Sequence, residues 1–164
     1  SSIINSNVEF VPSGVDYRGD AVVDATIRSS YNYIDHQEKF GFLKKIAIDL
    51  AEKHAPNENL NYVSEPISVQ RYEVTQQFSQ HCDYGSNGRR HVTVIFYLND
   101  DFQGGHTLFE LLSLSVKPIA GSCLIFYYDS DNEQMNRLTR HGGDTVTDGT
   151  KYIATAWLRN HETS

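Results

Sequence analysis

The chain has 164 residues, of which 39% are hydrophobic and 21% charged, a balance typical of one folded, soluble domain over residues 1–164. The formal net charge of −7 disfavours nucleic-acid binding, which depends on Lys and Arg contacts with phosphates. No apolar run approaches the ~20 residues of a membrane span, so the composition excludes a disordered or membrane-embedded chain.

The first predicted elements are a strand and a long helix. The segment AVVDATIRSS (residues 21–30) predicts a strand that runs into a turn. Residues 35–55 predict an amphipathic helix, because apolar residues recur there at three- and four-residue steps. Asp35 at the N-cap and Glu38 at the N3 position are expected to begin this helix, and Pro56 to end it.

After residue 60 the pattern changes to short segments rich in β-branched and aromatic residues. Turn clusters separate these segments at intervals of roughly 8–12 residues, which favours a sandwich, a jelly roll or a barrel with the helix packed on one sheet. The predicted strands lie within residues 67–74, 91–98, 112–119, 122–128 and 151–159.

Two features bear on the cellular compartment. The N-terminal segment SSIINSNVEF has neither the basic nor the apolar region of a signal peptide, which predicts a cytoplasmic location. The chain has two cysteines, Cys82 and Cys123, which are too few for a disulfide-stapled scaffold and form no CxxC zinc pattern. We interpret them as reduced, buried thiols.

The segment QHCDYG (residues 80–85) holds two side chains of metal-ligand type at positions i and i+2. In a strand His81 and Asp83 project from one face, whereas Cys82 points away. His141 is a candidate third ligand, and two histidines with one carboxylate form the facial triad of non-haem Fe(II) oxygenases. Alone, the HxD pattern is weak, since seven histidines make a chance occurrence common.

Lys151 strengthens this interpretation. The segment HGGDTVTDGTK (residues 141–151) reads as a hairpin of two strands joined by a TDG turn. Lys151 then lies across from the metal strand with its ammonium directed inward, where it needs an anion. A dicarboxylic co-substrate that chelates the metal at its other end supplies that anion. The plainer alternative is a surface lysine beside a turn.

Three long segments then resemble the prolyl 4-hydroxylase family of Fe(II)- and 2-oxoglutarate-dependent dioxygenases, and the resemblance runs from about Ile3 to Arg159. Residues 71–83 resemble the family's RY…G..F..H.D stretch. Residues 92–126 resemble its YLN…GGET.FP…V.P..G.ALLF stretch, and residues 141–159 its H.G.PV..G.KW.AT.W.R stretch. Here His106 replaces the family's usual Glu, and LFELL replaces its FP step.

The resemblance implies a fold that is mainly β with flanking helices around a double-stranded β-helix, or jelly-roll, core. It implies iron(II) bound by His81, Asp83 and His141, with O2 as co-substrate and ascorbate as a candidate reductant. Lys151 is implied to bind the far carboxylate of 2-oxoglutarate. Tyr72 and Thr107 resemble residues that line the co-substrate pocket, although their residue types alone fit a core aromatic and a turn hydroxyl equally well.

Two residues on the substrate side carry less specific matches. Arg28, in TIRSS, resembles a segment that precedes the family's substrate-side loop. Trp157 resembles the family's late tryptophan, and a core aromatic accounts for it at least as well. Arg89 and Arg90 follow the metal strand, and they either guide an acidic or peptide substrate or are solvated loop charges.

The implied activity is Fe(II)- and 2-oxoglutarate-dependent hydroxylation by a single dioxygenase domain, with succinate and CO2 as co-products. The expected partner is a protein or peptide that contains proline, and the oligomeric state is left open. One alternative is a hydroxylase of a free amino acid or another small molecule. Another is a non-catalytic jelly-roll binding module with a vestigial metal site, which the intact set of His81, Asp83, His141 and Lys151 disfavours.

Overall fold

The computed structural model describes residues 3–17, 20–22, 27–55, 61–84, 90–128 and 133–160. Two α-helices lie in this part of the chain, α1 (Gly41–His54) and α2 (Glu133–Leu138), and a short 3₁₀-helix spans Glu110–Leu112. The strands are, in chain order, β1 (Val11–Pro12), β2 (Val15–Tyr17), β3 (Asp20–Val22), β4 (Tyr31–Ile34), β5 (Tyr62–Ser64), β6 (Ser68–Tyr72), β7 (Phe78–His81), β8 (Val92–Tyr97), β9 (Gln103–Gly104), β10 (Thr107–Phe109), β11 (Leu114–Val116), β12 (Cys123–Tyr127), β13 (His141–Gly143), β14 (Val146–Asp148) and β15 (Lys151–Asn160).

Two antiparallel sheets form the core. The larger sheet has the order β1-β4-β6-β15-β8-β12, and β5 pairs with the C-terminal part of β15. The smaller sheet has the order β11-β10-β13-β7. From β6 onward, the larger sheet takes β6, β8, β12 and β15 and the smaller sheet takes β7, β10, β11 and β13. Most connections therefore cross from one sheet to the other, as in a jelly roll. The predicted mainly β fold with a jelly-roll core is confirmed.

The central strands of the larger sheet are buried on both faces. Ala154, Ala156 and Leu158 of β15 belong to the core cluster that includes the buried residues of α1. The alternate residues of β15 point between the two sheets, because successive side chains of a strand lie on opposite faces. The residues of β15 on this inner face are Lys151, Ile153, Thr155 and Trp157.

The helix begins later than the sequence predicts. It starts at Gly41 rather than at Asp35, and Glu38 has a positive φ of 56°, which a helix does not allow. Asp35 is fully buried, and its carboxylate accepts the backbone N–H groups of Lys39 and Phe40 at 3.0 and 2.6 Å. The aspartate therefore caps the turn that leads into the helix. Pro56 lies outside the described residues.

The predicted hairpin over residues 141–151 is wrong. Strand β13 pairs with β7 and β10, and β14 pairs with β9, so neither of them pairs with β15. The TDG turn instead joins β14, which pairs with β9 outside the two main sheets, to the strand at the centre of the larger sheet. Lys151 still reaches the space between the sheets, since a β carbon built at Gly143 would lie 4.0 Å from its Nζ.

The cysteines and the strand predicted before the helix differ in part from the expectation. Cys82 and Cys123 are free thiols as predicted, but both are exposed rather than buried. The predicted strand over residues 21–30 is described only in part, as the end of β3 and an isolated bridge between Arg28 and Phe78. No helix in the described part of the chain combines the length and the apolar composition that a bilayer crossing requires.

Candidate metal centre and co-substrate pocket

The two histidines of the predicted triad face each other across a strand pair. His81 ends β7 and His141 begins β13, and the two residues are register partners in the antiparallel ladder. Asp83 follows β7 by two residues. Its Oδ1 lies 3.3 Å from His81 Nε2, and its Oδ2 lies 3.7 Å from His141 Nε2. One candidate ligand atom from each of the three residues lies within 4.8 Å of the others.

The hydrogen bonds of both imidazoles leave their Nε2 atoms facing this centre. His81 Nδ1 lies 2.9 Å from the carbonyl oxygen of Ser79, and His141 Nδ1 lies 3.0 Å from that of Thr139. Because a carbonyl oxygen only accepts, each Nδ1 carries a proton, and the neutral form of each ring presents a lone pair at Nε2. Outer-shell bonds of this kind orient histidine ligands in metal sites.

Two donors hold the carboxylate of Asp83 from behind. Thr93 Oγ1 donates to Oδ2 at 3.0 Å, and the Trp157 indole Nε1 donates to the same oxygen at 2.9 Å. Burial raises the pKa of Asp83, but the imidazoles of His81 and His141, which in their protonated forms donate to the carboxylate or attract it, outweigh burial. The pKa of Asp83 therefore falls well below its usual range. Asp83 is therefore ionised at neutral pH.

Aromatic rings enclose the histidines. Phe78 stacks on the imidazole of His81 with ring centroids 3.7 Å apart, and Phe126 and Phe109 lie 4.8 and 5.6 Å from that of His141. Burial lowers the pKa of His141, and the charge of Asp83 only partly opposes this effect. Burial therefore favours the neutral form of His141, which is the form that binds a metal.

The donor set fits iron(II). Two neutral imidazole nitrogens and one ionised carboxylate oxygen converge on one side of a common centre, and these hard and intermediate ligands suit Fe(II) rather than a thiolate-loving metal. Three converging acceptors repel one another unless a cation lies between them. The arrangement therefore fits the metal that the sequence predicts.

Lys151 lies in the same pocket as the three candidate ligands. It is 2% exposed, its Nζ donates to the carbonyl oxygen of Gly105 at 2.6 Å, and the ammonium lies 5.3 Å from the ring centroid of Tyr72. Burial lowers the pKa of Lys151 to about 8, although the charge of Asp144 raises it in part. Among the described residues, no carboxylate forms an ion pair with this ammonium.

Tyr72 and Thr107 also line the pocket. Tyr72 is the register partner of Lys151 on the neighbouring strand β6, so its ring packs beside the lysine. Thr107 Oγ1 shares a hydrogen bond of 2.8 Å with the hydroxyl of Tyr97. The structure thus brings both predicted residues to the lysine end of the pocket.

The predicted substrate residues lie in the lining as well. Arg28 is 8% exposed, its Nε donates to Ser30 Oγ at 3.0 Å, and its guanidinium lies 4.6 Å from the ring centroid of Phe78. Trp157 uses its indole N–H on Asp83, so its remaining contribution to the pocket is its ring. His106 lies outside this lining, and its Nδ1 is 3.0 Å from Ser115 Oγ.

Sequence reasoning missed Thr93 and misread Arg90. Thr93 is a polar residue within a strand whose other residues are all apolar and buried, and this contrast was a usable signal. Arg90 is neither a fully solvated loop charge nor free to guide a substrate, because its side chain is 26% exposed and pairs with Glu65 at 2.8 Å. Arg89 lies outside the described residues. No short motif links Arg90 with Glu65, which precedes it by 25 positions.

Comparisons with known proteins agree with this site. The family model described as the 2OG-Fe(II) oxygenase superfamily matches residues 67–159. Prolyl 4-hydroxylase 1 of Arabidopsis thaliana is 30% identical over 177 residues, which cover 94% of this chain and 61% of that protein. A putative prolyl 4-hydroxylase of Acanthamoeba polyphaga mimivirus is 34% identical over 114 residues, which cover 62% of this chain and 47% of that protein.

A solved structure gives the same picture. The viral collagen prolyl hydroxylase of Paramecium Bursaria Chlorella virus-1, in its complex with 2OG, aligns with a TM-score of 0.65 and 27% identity over 82% of this chain and 81% of that chain. The chain spans about half the length of the curated relatives it matches. Since the family model covers more than half of this sequence, the chain belongs to the 2OG-Fe(II) oxygenase superfamily.

Proposed function

We propose that the chain hydroxylates peptidyl proline in a reaction that depends on Fe(II), 2-oxoglutarate and O2 and yields succinate and CO2 as co-products. The observation that carries the proposal is the buried ammonium of Lys151 in one pocket with the triad His81, Asp83 and His141. A buried cation without a protein carboxylate calls for an anionic ligand. A dicarboxylate that reaches from the metal to Lys151 meets that need.

The three ligands have separate tasks in this mechanism. His81 and His141 offer Nε2 lone pairs, and Asp83 offers a negative charge through the oxygen that faces them. Because Thr93 and Trp157 occupy the other carboxylate oxygen, Asp83 is held as a ligand through one oxygen. Bound iron(II), with 2-oxoglutarate and O2, supplies the oxidising chemistry for C–H hydroxylation.

The lysine end of the pocket binds and orients the co-substrate. Among the described residues, Lys151 Nζ makes one hydrogen bond, to Gly105, so two N–H groups remain to donate to the distal carboxylate. The ring of Tyr72 and the hydroxyl of Thr107 complete the walls around that carboxylate. Ile95 and Ile153 line the section between the two ends and exclude water.

The substrate side of the proposal rests on the named relatives. The curated relatives from Arabidopsis and mimivirus are prolyl 4-hydroxylases by name, and the viral neighbour is a collagen prolyl hydroxylase. We propose a proline-containing peptide for this chain as well, with Arg28 and the ring of Trp157 as contacts on the substrate side of the pocket. The guanidinium of Arg28 is fixed by Ser30 and Phe78, so it offers donors in a defined position.

An anaerobic titration tests the proposal. Addition of 2-oxoglutarate to the Fe(II)-loaded protein should produce a visible metal-to-ligand charge-transfer band, which the His141→Ala variant should lose. The matched control is His106→Ala, which removes an imidazole outside the pocket and should keep the band. A wild-type protein that binds Fe(II) but gives no band contradicts chelation by the co-substrate.

The substrate needs a second assay. Proline-rich peptides are incubated with the aerobic, fully loaded protein and analysed by mass spectrometry for the gain of one oxygen atom on proline. His81→Ala and Asp83→Ala should abolish this gain. If 2-oxoglutarate is consumed and no peptide is modified, the free amino acid or small-molecule alternative is correct instead.

A further inference from the structure

A partly buried ion-pair cluster lies beside the candidate metal centre. Glu65 follows strand β5, and Arg90 grips its carboxylate with two parallel hydrogen bonds of 2.9 and 2.8 Å, from Nε and Nη2. Arg159, near the end of β15, approaches the same carboxylate to 2.7 Å. The side chains of Glu65 and Arg90 are 17% and 26% exposed, so water screens their ion pair only in part. The side chain of Arg159 is more exposed, at 37%.

Arg90 continues from this cluster toward Asp83. Its guanidinium carbon lies 4.2 Å from the ring centroid of Trp157, in a stacked cation–π contact. The N–H of the same indole donates a hydrogen bond to Asp83 Oδ2 at 2.9 Å. Arg90 Nη1 also lies 3.4 Å from the main-chain carbonyl oxygen of Asp83. The arginine thus reaches both the main chain and, through Trp157, the carboxylate of this residue.

An ordinary structural ion pair does not account for these contacts. Arg159 is such a pair, because it joins the end of β15 to Glu65 and, among the described residues, forms no hydrogen bond, ion pair or cation–π contact with Trp157 or Asp83. The guanidinium of Arg90 is planar, so it can bind the Glu65 carboxylate, stack on the Trp157 ring and reach the Asp83 carbonyl oxygen at once. The ammonium of a lysine cannot do this. The difference between these two arginines on one carboxylate points to a task that only Arg90 performs.

We propose that Arg90, oriented by Glu65, is a positioning residue that fixes the direction of the Asp83 carboxylate in the metal centre. This inference rests on the proposed function, since it takes Asp83 as a metal ligand. With the guanidinium in place, the indole cannot tilt, and its N–H stays directed at Oδ2. The other oxygen, Oδ1, then stays on the side of His81 Nε2.

The variant that tests the proposal is Arg90→Lys, and its matched control is Arg159→Lys. Both keep a positive charge beside Glu65, but only Arg90→Lys removes a guanidinium from the face of Trp157. The probe is Co²⁺ alone, added to metal-free protein under nitrogen, with affinity measured by calorimetry and ligand geometry by the visible absorption of bound Co²⁺. Thermal melting of each metal-free variant shows that it is folded.

Arg90→Lys should weaken Co²⁺ binding by about tenfold or more, the lower end of the loss typical of outer-shell partners, and should change the Co²⁺ spectrum. Arg159→Lys should stay within about twofold of the wild type, because Arg159 shares Glu65 but forms no hydrogen bond with Trp157 or Asp83 among the described residues. Equal losses in the two variants, or an unchanged Arg90→Lys, overturn the proposal and leave the proposed function standing. A wild type that binds no Co²⁺ overturns both.

Two further variants keep the test decisive. If Arg90→Lys does not fold, Glu65→Gln replaces it, because the amide retains the shape but loosens the grip on Arg90. It should cause the same spectral change with a smaller loss of affinity. In a Trp157→Phe background, Arg90→Lys should reduce Co²⁺ affinity less than it does in the wild-type protein, since the indole N–H that links Arg90 to Asp83 is already absent. Full additivity of the two losses overturns the proposed route through Trp157.

Discussion

The ammonium nitrogen of Lys151 and the carbonyl oxygen of Gly105 lie 2.6 Å apart, although 46 positions separate the two residues. Gly105 has a φ of +64°, and a β carbon built on it would lie 3.1 Å from Lys151 Cδ and 3.0 Å from Phe102 Cε2. Glycine at this position therefore provides the acceptor that aims the lysine and also leaves room for its aliphatic stem.

Gly105→Ala should weaken 2-oxoglutarate binding, because the new methyl group displaces the stem of Lys151. Gly121→Ala is the matched control, since Gly121 has a φ of +80° but no heavy atom within 4 Å of its built β carbon. Both variants carry the cost of a left-handed alanine, so both should melt at a lower temperature than the wild type. Calorimetric titration with 2-oxoglutarate should separate them, and equal affinities contradict the crowding argument.

Lys151→Met should reduce 2-oxoglutarate affinity by about 1.5–3 kcal/mol, the value of a hydrogen bond to a charged group, or roughly 10–100-fold. The variant removes a buried charge, so the metal-free protein should be at least as stable as the wild type. The measurement is the charge-transfer titration with Fe(II) present. Lys117→Met, at an exposed position, is the control. An unchanged affinity in Lys151→Met removes this lysine from the co-substrate site.

The affinity for 2-oxoglutarate should depend on pH. Burial lowers the pKa of Lys151 from 10.5 to about 8, so the free protein loses this proton as the pH rises through about 8. The carboxylate binds the protonated amine, and affinity should therefore be level below that pH and fall by up to about tenfold per pH unit above it. Lys151→Met should show a weaker affinity without this decline. A decline of equal slope in the variant assigns the effect to another group.

Thr93→Val should weaken metal binding, because it removes one of the two donors to Asp83 Oδ2 without a change of side-chain shape. The expected loss is about 10–100-fold in Co²⁺ affinity, measured by calorimetry. Thr93→Ser retains the hydroxyl and should restore most of the affinity. Thr155→Val is the control, since that buried hydroxyl donates to Gln70 rather than to a candidate ligand. The same loss in Thr93→Val and Thr155→Val refutes the assignment.

The candidate site was largely readable from the sequence because its residues follow strand periodicity. His81 and Asp83 stand two positions apart at a strand end, and Lys151 opens a long β-rich segment. The contact between Arg90 and Glu65, which lie behind the candidate ligands, could not be predicted in this way. Arg90 and Glu65 meet because strands β5 and β8 both adjoin β15, and this pairing depends on the topology of the sheet.

The errors in the fold have physical causes of the same kind. The TDG turn within residues 141–151 is typical of a hairpin. Strand β14 nevertheless pairs with β9, a strand of two residues within a segment rich in turn-forming residues. Asp35 is a good helix cap by residue type, and it does bind two backbone N–H groups. These N–H groups, of Lys39 and Phe40, lie in a turn that precedes Gly41. The turn is not part of the helix, since Glu38 takes a left-handed conformation there.

Strand β15 has a consequence for how this chain can vary. The strand is paired on both sides, with β6 and β8, and it carries Lys151 near one end of the pocket and Trp157 near the other, about 20 Å apart along an extended backbone. An insertion or deletion of one residue between them would exchange the two faces and replace the lysine by an outward side chain. A variant that keeps the site can therefore accept substitutions along β15, but not a change in the number of residues between Lys151 and Trp157.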